Sequence, residues 1–83
     1  MSQEKRKEVI SALKSTIELL YENASKDKSR SIVAENNGNI ELALAYAQCS
    51  KQEVLMAQYL EVDLKHIEIE SVKEELSNEA TRC

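Results

Sequence analysis

Glycine occurs once and proline never in these 83 residues, so the chain has almost nothing with which to break a helix. The consequence is plainest from Ser50 to about Asn78, a stretch with neither residue. At a 1.5 Å rise per residue a helix over it is roughly 45 Å long, longer than a globule of this size needs. On a helical wheel its apolar residues form two stripes. Val54, Leu55, Val62, Ile69, Val72 and Leu76 cluster on one side, and Met56, Ala57, Leu60, Leu64 and Ile67 nearly opposite. The chain's own helices can cover one stripe, whereas two opposed stripes call for a second chain.

Size points the same way. A chain of 83 residues makes one domain, in which a self-contained core is marginal without disulfides, a metal or oligomerisation. The only cysteines are Cys49 and Cys83, with no disulfide framework and no signal peptide, so a reducing cytoplasm, or the nucleus, is the expected compartment. Asn23-Ala24-Ser25 fits a glycosylation sequon, but without a secretory route it is an accident of composition. No apolar run approaches the roughly eighteen residues that span a bilayer. Oligomerisation is the remaining support.

Charge is unevenly placed. Residues 1–30 carry net +2 and residues 31–83 net −6, within a total of −4. A basic front and an acidic back attract each other, within one molecule or between two. Nucleic acid is a poor partner for the acidic part, and Glu4, Glu8, Glu18 and Glu22 interrupt the basic part.

Along the chain, a first helix is expected over 3–24 with Ser2 as N-cap. Its residues Ile10, Leu13, Ile17, Leu20 and Ala24 have heptad spacing, widened by Val9 and Tyr21. Residues 25–31 contain nothing apolar and read as a loop or frayed end, followed by a helical turn or two over 32–36. Gly38 can take the left-handed conformation that ends a helix, and Asn39 can cap the next, over 40–48. Ser50-Lys51-Gln52-Glu53 has the form of a capping box that starts the 50–78 helix, leaving a frayed tail at 79–83. A competing reading comes from Leu60-Glu61-Val62-Asp63-Leu64 and Ile67-Glu68-Ile69-Glu70, which alternate with period two as a half-buried strand does.

Chemistry is hard to find. A single glycine excludes both the dinucleotide fingerprint and the P-loop. Asp63, His66 and Glu70 share a helical face and offer a mixed nitrogen and oxygen set to a divalent metal. Dimetal helical bundles, however, draw such ligands from several helices, and a solvated His beside two acids is the plainer reading. Cys49 lies more than four helical turns from His66, too far for a nucleophile and its base, and is expected to pack as a small apolar residue at a helix junction. The acids Glu68, Glu70, Glu74, Glu75 and Glu79 read as the wet side of a helix, with Glu70–Lys73 and Glu61–Lys65 as ordinary helical ion pairs.

One stretch resembles parts of two known families. Gly38-Asn39-Ile40, with Ala43 and Tyr46, is similar to the start of the second helix of a tetratricopeptide repeat, in which Ala43 and Tyr46 would be packing positions. Asn37-Gly38-Asn39-Ile40-Glu41 with Ala43 also resembles the last helix of a ubiquitin-associated domain. The preceding segment lacks the apolar helix of the first family, and no Gly-Phe or Gly-Tyr dipeptide of the second is present. No family is assigned on ten residues.

The sequence therefore predicts an all-α protein, a small helical bundle or helical hairpin completed by oligomerisation. It is expected to be non-enzymatic, without catalytic residues, cofactor or metal. Its role would be that of an interaction or adaptor subunit with a protein partner and neither membrane nor nucleic acid. Leu60, Leu64 and Ile67, with Met56 and Ala57, would face Ile10, Leu13, Ile17 and Leu20; the interface would be Leu55, Val62, Ile69, Val72 and Leu76. The alternatives are an acidic binding chaperone or inhibitor that masks an apolar segment, a peptide- or ubiquitin-binding module centred on residues 36–46, and a metalloprotein.

Overall fold

The computed structural model describes residues 2–82, with side chains described through Ser77. It is a helical hairpin: α1 spans Gln3–Asn36 and α2 spans Ile40–Arg82. The molecule measures 69 × 16 × 14 Å, with a radius of gyration of 19.2 Å. A globule of this length would have a radius of gyration of about 12 Å.

Local chemistry sets both helix starts and the turn. Ser2 has extended backbone, and its hydroxyl accepts from the Lys5 amide at 3.3 Å, capping α1. At the other end Gly38 takes φ +79°, while the Asn39 amide donates to the Ala34 carbonyl at 2.9 Å and the Gly38 amide to Glu35 at 3.0 Å. This is a Schellman closure, with glycine at the left-handed position. Asn39 then caps α2 by accepting from the Leu42 amide at 3.2 Å. Three linking residues thus reverse the chain.

The helices meet along one strict seam. In α1 the buried or half-buried positions are Arg6, Ile10, Leu13, Ile17, Leu20, Ala24, Asp27, Ser31 and Ala34; in α2 they are Ala43, Tyr46, Ser50, Glu53, Ala57, Leu60, Leu64, Ile67 and Ser71. Both series advance by alternating three and four residues, the spacing of a coiled-coil seam. Only Val9 and Val54 are covered outside it. Near the turn the seam is built of small residues, and two hydroxyls cross it. Ser31 donates to the Ala43 carbonyl at 2.7 Å, and Ser50 to the Ala24 carbonyl at 2.8 Å. Backbone carbonyls are within reach of a serine on the other helix because alanine lets the helices approach closely.

Several expectations are corrected by this seam. Residues 25–31 are helical: Asp27 and Ser31 occupy seam positions, nothing there breaks a helix, and Arg30 pairs with Asp27 at 3.0 Å. The expected boundary at 48–50 is absent, and α2 runs straight through. Ser50 spends its hydroxyl across the seam rather than on a cap, so the capping-box pattern has no helix start to serve. Cys49 is exposed in mid-helix, not packed at a junction. The period-two run at 60–70 is helix as well. Leu60, Leu64 and Ile67 point inward while Val62 and Ile69 point outward, and two opposed helical stripes imitate strand alternation. The side chains of the expected tail, 79–83, lie outside the described residues.

Two substitutions probe this arrangement by urea unfolding followed by circular dichroism. Ala57, with 0 % exposure, has no room for a larger side chain, and Ala57→Leu should destabilise the hairpin by about 1–3 kcal/mol. No atom would meet a Cβ at Gly38, so Gly38→Ala should cost only the left-handed backbone strain, about 1–2 kcal/mol. A neutral Ala57→Leu would show that the seam is loose.

Candidate interaction surface

With the seam as positions a and d of a heptad, the face of α2 directly opposite, position f, carries Leu55, Val62, Ile69 and Leu76 at strict seven-residue intervals. Tyr59 and Val72 sit beside this line. All six are exposed, from 43 % at Leu55 to 71 % at Tyr59. The structure thus separates the two stripes anticipated from the sequence. It moves two residues: Val54 is half-buried beside the seam, and Met56 is 55 % exposed. Leu55, Val62, Ile69, Val72 and Leu76 all face away from α1. The equivalent line on α1 is polar, with Glu8, Ser15, Glu22 and Ser29. Leu19, Ile32 and Val33 are exposed beside that line, but only α2 has a continuous apolar line along its outward side among the described residues.

Charge follows the same division. Between residues 42 and 77 every carboxylate of α2 (Glu53, Glu61, Asp63, Glu68, Glu70, Glu74 and Glu75) lies on or beside the seam. Lys51, Lys65, His66 and Lys73 all lie on the outward side. The seam-side acids meet α1. Arg6, with 12 % side-chain exposure, donates two hydrogen bonds to Glu74, at 2.7 and 3.1 Å. Lys14 stands 3.9 Å from Glu68, and hydrogen bonding to Glu61 pushes the Tyr21 hydroxyl above its ordinary value. Of the acids expected to pair along α2 or face solvent, Glu61, Glu68 and Glu74 stay exposed but find their partners on α1. Between residues 42 and 77 the outer face of α2 is left apolar and free of carboxylates.

Two acids are perturbed, in opposite directions. Hydrogen bonding to Arg6, and then its charge, holds the Glu74 carboxyl below its ordinary value. Glu53 is pushed up, first by a hydrogen bond with Asp27 across the seam, then by desolvation and by the Asp27 charge, with Arg30 opposing.

Among the described residues no group of three or more His, Cys, Asp or Glu is placed to hold a metal, so Asp63, His66 and Glu70 do not assemble one. No helix is long and apolar enough to cross a membrane. The concavities are open grooves along the helix junction, such as the one lined by Arg30, Val33, Leu42 and Tyr46 near the turn. Ala43 and Tyr46 are packing positions, but within this hairpin's seam. Compared with known protein families, with curated proteins and with solved structures, the chain matches none.

The pH dependence follows from the two shifted acids. Glu53, raised, destabilises the hairpin at neutral pH, and this penalty is relieved as pH falls through its raised pKa. Glu74, lowered, stabilises above the ordinary value near 4.5, and this is lost as pH falls through its depressed pKa. Thermal melts should therefore show Glu53→Gln more stable than wild type at pH 7, with the advantage shrinking on acidification. Glu74→Gln should be less stable at pH 7 and converge on wild type at low pH. An advantage of Glu53→Gln that grows on acidification would contradict the assignment.

Proposed function

We propose that this chain is a non-enzymatic assembly subunit that binds another protein chain through the outer face of α2. The observation that carries the reading is the second heptad line, Leu55, Val62, Ile69 and Leu76, on the side of α2 that α1 does not reach. Chance would scatter exposed apolar residues singly; a line in helical register over three heptads is the pattern of a helix that packs twice.

Surface area supports it. A compact monomer of 9.4 kDa exposes about 5,000 Å², and this chain exposes 6637 Å². The excess, roughly 1,600 Å², exceeds the roughly 800 Å² that each partner buries in a standard protein interface. Energetics support it as well. Among the described residues no large side chain is fully buried. Completing the burial of a half-exposed Leu, Ile or Val adds roughly 1 kcal/mol, so a line of them is worth several before ordering costs. The shape disfavours the masking-chaperone alternative, since the outer face is a single-helix ridge and not a groove that wraps a client.

A tagged copy recovered from the cells that make it should run at the mass of a complex. Ile69→Glu with Val72→Glu should reduce that mass to the monomer's while leaving helicity intact by circular dichroism. An unchanged complex mass in the double variant would show that the outer face of α2 is not the interface.

A further inference from the structure

We propose that the outer face of α2 pairs with the same face of a second copy of this chain, antiparallel, about a two-fold axis between Lys65 and His66. The inference rests on the assembly reading above and specifies the partner.

Its first support is the spacing. Leu55, Tyr59, Val62, Ile69, Val72 and Leu76 are separated by four, three, seven, three and four residues, the same in either direction. An isologous contact requires a surface that matches itself after reversal. With the axis between Lys65 and His66, Leu55 lies level with the second copy's Leu76, Tyr59 with its Val72, and Val62 with its Ile69. Each layer joins residues of complementary size. A parallel pair in register would instead stack two tyrosines in one layer and two valines in another, which fills space unevenly.

The second support is charge. Two chains of net −4 repel wherever their acids meet, and the outward side of α2 has no carboxylate from residue 42 to residue 77. In the reversed register Lys73 lies level with Gln58 and Tyr59 of the second copy. Lys65 and His66, on either side of the axis, each approach their own equivalents, and both are exposed in the hairpin, where a like-charge lysine pair has little effect. The third support is the polar outer line of α1, which leaves α2 as the long apolar ridge a second copy can offer.

Light scattering across a concentration series, with reductant, should give twice the monomer mass. Crosslinking then reads the direction, in a Cys49→Ser, Cys83→Ser background. Lys65→Cys should form disulfide-linked dimers with itself, and Leu55→Cys should not. An equimolar mixture of the Leu55→Cys and Leu76→Cys chains should link one to the other. Small-angle scattering should show the particle lengthen from 69 Å to roughly 80 Å, since the turn lies about 27 residues from the axis. Self-linking of Leu55→Cys as fast as Lys65→Cys would mean parallel pairing and overturn the proposal. So would a chain that stays monomeric at every concentration. That result removes self-pairing alone, because the broader assembly reading falls only if the Ile69→Glu, Val72→Glu variant keeps the wild-type complex mass in cells.

Discussion

Two helices side by side cannot enclose a large side chain, and this geometric limit governs the rest of the molecule. Each helix has one neighbour, so each seam residue is covered on one side and open at its flanks. Among the described residues the buried positions are accordingly few and mostly small: Ile17, Ala24, Ala34, Ala43 and Ala57. The hairpin compensates with polar cross-links. Serine hydroxyls reach carbonyls near the turn, and Arg6 clasps Glu74 toward the open end. Hydrogen bonds and ion pairs of this kind contribute modestly, about 1 kcal/mol each for the neutral ones. They fix the register of the pairing more than they supply its stability.

That register gives α2 its two distinct sides. With Ala57, Leu60, Leu64 and Ile67 turned toward α1, the line at Leu55, Val62, Ile69 and Leu76 must face away. The charges obey the same rule between residues 42 and 77, where the acids of α2 lie on or beside the seam and its lysines lie outward. One electrostatic arrangement thus helps to fix the register of the hairpin and keeps carboxylates off the opposite face over that stretch. Fold and proposed interaction have a common origin in the heptad repeat of α2.

How much of this was legible in the sequence varies along the chain. Gly38 and Asn39 announced the turn because the one glycine can take a positive φ and the asparagine after it can cap the next helix. The two stripes of the C-terminal helix were legible from spacing alone, and all five residues expected at the interface are exposed. The half nearer the turn was not. There, apart from Tyr46, the seam is Ala, Ser, Asp and Glu, and an apolar pattern cannot reveal a seam built mainly from small and polar residues. Reading residues 25–31 as a loop followed from that, as did reading Ser50 as a cap. The signal that would have found it was present: the three- and four-residue steps continue without a slip from Arg6 to Ala34 and from Ala43 to Ser71. Which side of α2 faced inward depended on the pairing register, which is a property of two helices together and not of either alone.

The central claim is that α2 serves its own hairpin with one face and another chain with the other. Methyl NMR with a soluble paramagnetic probe tests it most directly, comparing Ile17, Leu64 and Ile67 with Val62, Ile69 and Leu76 in dilute and assembled samples. The account predicts that the first group is shielded in both, and that the second is attacked by the probe when dilute and shielded on assembly. Shielding of Val62, Ile69 and Leu76 in a dilute monomer would contradict it, because the chain would then be covering both faces of α2 by itself.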